Sequence, residues 1–386
     1  MSSSLRLNRS SGRLTPLLLC LCLAAPAAAQ QSNPFLPPRA TMHYARNRDY
    51  HVRHLKLVIN IDAIRHGATA VVTQYLAPLR DGLKQFEIDA GANLTINSVR
   101  LNGAPVSFRH DGEQLLIDPG RTLARGVEVA VEIRYVMPGD STGGGANGLG
   151  GFHWILPNGD PADRPPGFWT QGETNTNHHW VPCYDSPNDK CTSETITTVP
   201  ANWVVIGNGK LVSNTLNAAQ HTRTFHWVMT QPHSTYLLSL AGGELDVRKD
   251  TWNGVPLYYV VPRGDAWMIP GSFGNTPDML QFFSTILGFK YAWPKYAESA
   301  MLDFGGGMEN VSATTLGAYS LTDKRSGLYP MSSLDSHELA HQWFGDLVTC
   351  KFWGDIWLNE SFATFFQMLY TEHLYGKDGY DEDKQN

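Results

Sequence analysis

The strongest constraint on the fold is the period-two patterning between His51 and Met137. Leu55-Lys56-Leu57 and Ile59-Asn60-Ile61 alternate apolar with polar, as do Val127-Glu128-Val129 and Val131-Glu132-Ile133. Alternation puts successive side chains on opposite faces of a pleated strand, and helical spacing cannot produce it. Asp81-Gly82, Asn102-Gly103 and Asp111-Gly112 punctuate the runs as turns. Short strands separated by such turns predict an antiparallel sheet structure. Strand signals resume at Trp203–Ile206, where Asn208-Gly209 reads as a hairpin turn, and continue through Arg223–Met229 and Tyr236–Leu240.

The first residues have a different character. Arg6, Arg9 and Arg13 precede a short apolar stretch, Leu14–Ala25, and Ala27-Ala28-Ala29 offers a small-residue cleavage site. This pattern predicts a secretory signal peptide over residues 1–29 and an exported protein, periplasmic or secreted. The run is too short for a comfortable span, and no later stretch in the mature chain has the length and apolarity of a transmembrane helix. Cys20 and Cys22 leave with the leader. Cys183 and Cys191 are close enough to pair in an oxidising compartment, and buried free thiols are the equal alternative. Net charge is −6, so no basic excess points to a nucleic-acid partner. The apolar share, 42%, is enough for a real core and argues against wholesale disorder.

Beyond residue 246 the pattern changes. Leu257–Val261 and Met301–Phe304 read as strands, and Pro277–Leu287, Ser332–Phe344 and Leu358–Tyr375 as helices. The expected organisation is therefore an all-β domain over residues 30–246 followed by an α+β domain over residues 247–386. Residues 138–151 are a Gly-rich connection without the Lys-Ser/Thr of a phosphate loop.

The chemistry concentrates in the second part. His337-Glu338-Leu339-Ala340-His341 has the H-E-x-x-H spacing. Residues four apart share a helix face, so both imidazoles reach one metal while Glu338 takes a proton from a water beside it. Glu360, on the next helix, supplies a third ligand, and three protein ligands with an open position make a catalytic zinc pattern. Trp353, Trp357, Phe362, Phe365 and Phe366 are expected to form a dry wall around that glutamate. A metzincin would need histidine and glycine where Leu347 and Phe344 stand. Upstream, Gly305-Gly306-Gly307-Met308-Glu309-Asn310 follows a strand; its glycines let a peptide backbone approach, and Glu309 offers a carboxylate at the peptide's end.

Gly306-Gly307-Met308-Glu309-Asn310, His337-Glu338-Leu339-Ala340-His341 and Trp357-Leu358-Asn359-Glu360, in that order, resemble the aminopeptidase N family of zinc metalloaminopeptidases, gluzincins that include leukotriene hydrolase. Thr170-Gln171-Gly172-Glu173 and Pro182-Cys183-Tyr184-Asp185 extend the resemblance back through the β domain. It implies a saddle-like N-terminal β domain and a partial thermolysin-like α+β peptidase domain. It further implies one Zn2+ held by His337, His341 and Glu360, with Glu338 as general base and then proton shuttle. Glu309 and Glu173 would grip the free α-amino group of a peptide substrate, and Gly306, Gly307, Met308 and Asn310 would line its backbone. The implied activity is removal of single N-terminal residues by attack of a zinc-activated water.

Two alternatives accompany that reading. One is a truncated fragment that binds zinc and peptide but turns over poorly, because the family's oxyanion tyrosine is expected beyond residue 386. The other is epoxide hydrolysis on the same zinc site, against which Glu173 speaks, since leukotriene hydrolase has glutamine at the matching place. Ser361, where the family usually has glycine, and Cys350 are the local departures. Neither side-chain preference nor oligomeric state is readable from the sequence.

Overall fold

The computed structural model describes residues 44–137, 150–156, 164–326 and 330–385. The leader and most of the Gly-rich connection lie outside the described residues. Residues 44–386 form one compact unit.

The β-rich half holds three sheets. The largest has eight strands, in spatial order 210–217, 222–233, 191–200, 50–62, 67–78, 129–137, 95–101 and 104–105. Its inner strands bury about every second residue, as in Cys191–Pro200, so one face packs while the other meets water. The sheet is antiparallel as expected except at one pair: Tyr50–Asp62 pairs with Cys191–Pro200 in parallel, with His54 opposite Thr192. Alternation is the same in both directions, and the long excursion from Met137 to Cys191 lets the chain return parallel. The Asn102-Gly103 turn closes its hairpin, both residues at positive φ (50° and 83°).

Asn208-Gly209 does not close a hairpin. Val204–Gly207 pairs with Leu240–Gly243 in a four-stranded sheet, whereas Lys210–Asn217 pairs with Thr222–His233 in the large one. Gly209 has φ +80°, and a Cβ there would lie 2.1 Å from the Val228 carbonyl oxygen, so the chain changes sheets through a position only glycine fits. The Asn208 amide then ties the two halves, donating to the carbonyls of Leu237 and Val311, both at 2.9 Å.

The second half is a five-stranded mixed sheet, in order 245–252, 255–262, 296–301, 313–317 and 307–308. It begins at Leu245, beside the expected boundary after residue 246. Tyr296–Met301 is the strand, and Leu302-Asp303 already turns away from it, so the strand expected at Met301–Phe304 lies earlier. Gly307–Met308 is the sheet's edge. Helices Thr276–Ile286, Pro330–Ala340 and Trp357–Tyr375 occupy the expected segments. Phe283, Leu339, Trp343, Ala363, Phe366 and Tyr370 form the core that joins these helices to the sheet. No helix among the described residues is long and apolar enough to cross a membrane.

Cys183 and Cys191 are buried free thiols. Burial holds both above their ordinary pKa, Cys191 at about 12, and so leaves them without thiolate character.

Candidate active site

The H-E-x-x-H residues lie at the C-terminal end of the Pro330–Ala340 helix. His341 stands just past the last helical residue, but its backbone N–H still donates to the His337 carbonyl at 3.2 Å, which preserves the four-residue offset. The two Nε2 atoms approach to 3.0 Å. Glu360 enters from the first turn of Trp357–Tyr375, its Oε2 3.4 Å from His337 Nε2 and 3.5 Å from His341 Nε2. His341 Nδ1 donates to the Phe344 carbonyl at 2.9 Å, so its Nε2 lone pair faces the other two donors.

Two imidazoles and a carboxylate aimed at one point repel unless a cation stands there. Donors about 2.0–2.1 Å from a tetrahedral zinc lie about 3.3 Å apart, and the observed spacings match that value. The residues present therefore fit one zinc ion. Burial alone would raise the Glu360 carboxyl; its contacts with His337 and His341 outweigh that and hold it well below the usual carboxylate range.

Three more carboxylates converge here. Oxygens of Glu173, Glu309 and Glu360 lie within 4.8 Å of one another, and Glu309 and Glu338 share a second such group with His341. Glu173 is pushed up to about 8, by burial and then by Glu309 and Glu360. Glu309 is pushed up to about 7, by burial and then by Glu360. Glu338 is also raised, by burial first and then by the neighbouring carboxylates. Such mutual repulsion marks a site that waits for positive charge.

The glycine segment lies directly against Glu338. A Cβ on Gly307 would sit 2.1 Å from Glu338 Oε1, so the edge strand passes beside this carboxylate only because residue 307 is glycine. Gly306 has φ +81°, and its backbone carbonyl accepts from Gly317 N–H at 2.9 Å. Met308 belongs to the core, and the Asn310 amide donates to Thr315 Oγ1 at 3.0 Å; both hold the edge strand in place.

The expected dry wall is only partly present. Phe366 is buried, and Phe344 stacks between Phe362 and Phe366 at centroid distances of 4.9 and 5.0 Å. Trp357, Phe362 and Phe365 are exposed, because helical spacing turns them onto the outer face of the ligand helix. Ser361 is exposed too, so its departure from glycine meets no packed neighbour. Tyr370 is taken up elsewhere: its hydroxyl donates to Asp278 at 3.0 Å.

Sequence reasoning missed Tyr236. It is buried, and its hydroxyl donates to Glu309 Oε1 at 3.2 Å and accepts from the Asn359 amide at 3.2 Å. Asn359 also accepts from Cys350 N–H at 3.1 Å. Gln342 donates to the Glu309 carbonyl at 3.1 Å and accepts from Ser312 N–H at 2.8 Å. The one signal for this network was the polarity of Asn359, inside a motif already singled out, and of Gln342, next to another. Tyr236 lies in an apolar strand-like run, far from any motif.

Comparisons with known proteins bear on the family and the fold. Residues 54–237 match the peptidase M1 N-terminal domain, and residues 272–385 match the peptidase family M1 domain. The chain is 30% identical over 287 residues to probable aminopeptidase 2 of Sulfurisphaera tokodaii, a match covering 73% of this chain and 35% of that protein. It is 32% identical over 199 residues to human glutamyl aminopeptidase, covering 50% of this chain and 21% of that protein. With leukotriene A-4 hydrolase of Xenopus laevis the identity is 25% over 355 residues, covering 87% and 54%. An M1 zinc metallopeptidase structure from Deinococcus radiodurans superposes with a TM-score of 0.73 at 24% identity, over 87% of this chain and 73% of that one. The fold and the two matched domains define a member of a peptidase family. The chain belongs to peptidase family M1. It spans between about a fifth and a half of the length of these curated relatives.

Proposed function

We propose that this chain carries the zinc site of an exported aminopeptidase that removes single residues from peptide N-termini. The observation that carries the reading is the Glu173–Glu309–Glu360 group, three carboxylates converging beside two imidazoles. His337, His341 and Glu360 hold the ion. When bound, zinc supplies a Lewis acid that polarises the scissile carbonyl and brings a water's pKa down to about 7.

The chain's own residues do the rest. Glu338 takes the proton of the attacking water on a carboxylate oxygen and returns it to the leaving amine. Glu309 and Glu173 bind the α-ammonium, and charged hydrogen bonds of this kind are worth about 1.5–3 kcal/mol each. A blocked terminus offers them no charge, which selects an exopeptidase. Tyr236 and Gln342 fix Glu309 from its side chain and its backbone. The Gly307–Met308 edge offers unpaired backbone groups along which a peptide lies as an added strand.

Hydrolysis of an aminoacyl-p-nitroanilide and of its N-acetylated form tests the reading. The free amine should be cleaved at least ten times faster; equal rates would overturn the roles of Glu309 and Glu173. Export is supported by the leader pattern of residues 1–29. The protein isolated from the extracytoplasmic fraction should begin at Gln30, and an intact N-terminus confined to the cytosol would exclude it.

A further inference from the structure

A second group of histidines and a carboxylate lies in the β half, outside the motif site. Asn177-His178-His179 forms a single 3-10 turn four residues after Glu173. Glu113 sits on the two-residue tip of the hairpin formed by Ser107–Asp111 and Gln114–Asp118. A ligand atom from each of Glu113, His178 and His179 falls within 4.8 Å of the others. Glu113 Oε2 is 3.3 Å from His178 Nε2 and 3.6 Å from His179 Nδ1. These spacings exceed the 2.7–2.9 Å of a charge-assisted hydrogen bond and match donors about 3.3 Å apart around an ion.

The surroundings fit the same chemistry. His178 Nδ1 donates to buried Asp185 at 2.7 Å, and the His178 backbone N–H donates to the same oxygen at 3.1 Å. That fixes the ring with its Nε2 lone pair toward Glu113, the carboxylate–histidine arrangement that orients a metal ligand. Both imidazoles are about nine-tenths buried, whereas the Glu113 side chain reaches solvent and leaves an entry path. Asn93 donates to the His179 carbonyl at 2.8 Å, while its buried Oδ1 has no partner. That oxygen borders His179 Nδ1: a Cβ on Gly91 would lie 2.3 Å from one and 2.6 Å from the other. Three carboxylates, Asp89, Asp185 and Glu113, share this neighbourhood with one guanidinium, Arg46, which pairs with Asp89.

We propose that Glu113, His178 and His179 form a second divalent-metal site, of zinc type, with Asn93 Oδ1 as a fourth donor at hand and Asp185 as the group that orients His178. Imidazole and carboxylate together suit zinc and its transition-metal neighbours rather than calcium or magnesium. The ion would staple the hairpin tip to the turn that follows Glu173, a structural role separate from peptide chemistry. An imidazolium at His178, held between Asp185 and Glu113, is the competing occupant.

Counting metal decides between them. The full chain is stripped with a chelator, titrated calorimetrically with Zn2+ alone and assayed for retained metal after gel filtration. We expect two equivalents in the wild type. One should remain in a His337→Gln/His341→Gln variant, which loses the motif site, and one in a Glu113→Gln/His179→Gln variant. Asp185→Asn should weaken the second binding step about 10–100-fold. Co2+ added to the His337→Gln/His341→Gln variant should give visible d–d absorption that the further change Glu113→Gln abolishes. Glu113 is exposed at a turn, so circular dichroism should be unchanged by its substitution. A single equivalent that the His337→Gln/His341→Gln variant loses would overturn the proposal. So would two equivalents retained by a folded Glu113→Gln/His179→Gln protein.

Discussion

At the His337–His341–Glu360 group the donors stand 3.0, 3.4 and 3.5 Å apart on two helices, and three further glutamates crowd them. At the Glu113–His178–His179 group two neighbouring histidines on one short turn meet a hairpin tip, and a buried aspartate supports one of them. In the first group burial, and after it the repulsion among the carboxylates, raises Glu338, Glu309 and Glu173. In the second, Asp185 holds His178 above its ordinary value against the opposing effect of burial. The difference separates two uses of the same residue types. On the proposed function, unrelieved negative charge readies a cleft for a cation that arrives with each substrate, whereas a paired and oriented histidine holds one place permanently.

The sharpest way to break this contrast is to remove charge from the first group without touching a ligand. Glu338→Gln should lower kcat on an aminoacyl-anilide by about 10²–10⁴, with zinc stoichiometry unchanged. Loss of zinc in this variant would make Glu338 a ligand and not a base.

A buried histidine outside both groups, His233, supplies the control for them. His233 has no carboxylate beside it: its Nδ1 donates to the Ser234 carbonyl at 2.8 Å, and Ser193 Oγ lies 2.7 Å from its Nε2. Burial therefore wins and pushes its pKa down to about 4. The unfolded chain, with an ordinary value near 6.5, takes up this proton first as pH falls. Stability from this group is complete above about pH 6.5 and drains away toward pH 4, by about 3 kcal/mol in all. Urea unfolding between pH 7.5 and 4.5 should show that slope in the wild type and a shallower one in His233→Gln. Equal slopes would mean that the protein relaxes around a charged His233.

Misplacing the base is a subtler test than deleting it. In Gly307→Ala the new methyl occupies space held by Glu338 Oε1, so the carboxylate must shift or the edge strand must retreat. A displacement of about 1 Å costs on the order of 10² in rate. Activity should fall by about that factor while the second zinc step of the β half stays unchanged. An unchanged rate would show that Glu338 finds its working position elsewhere.

The two groups also differ in how far the sequence exposes them. H-E-x-x-H is legible because helix geometry converts a spacing of four into a shared face, and Glu360 because the next helix must fold back onto the first. Period-two runs likewise revealed the strands of the β half. Parallel pairing of Tyr50–Asp62 with Cys191–Pro200 left no local trace, since alternation carries no direction. The apparent hairpin at Asn208-Gly209 misled because a residue pair that suits a tight turn also suits a switch between sheets. His178-His179 looked like two ordinary histidines: their partner Glu113 is more than sixty residues away, and only the hairpin's place in the fold brings it near.

Tyr236 is the extreme case, one hydroxyl from the β half inside a network otherwise made by the peptidase half. Tyr236→Phe removes the donor to Glu309 and the acceptor for Asn359, and it leaves every charged group in place. A neutral hydrogen bond is worth about 0.5–1.5 kcal/mol net, so kcat/KM should fall only about 2- to 10-fold. On the proposed role of Glu309, which holds the bound ammonium and not the reacting carbonyl, the loss should appear chiefly in KM. Discrimination against an N-acetylated substrate should shrink in step. A larger fall confined to kcat would mean that Tyr236 positions the ligand helix through Asn359, making it a support of the metal site more than of the amine pocket.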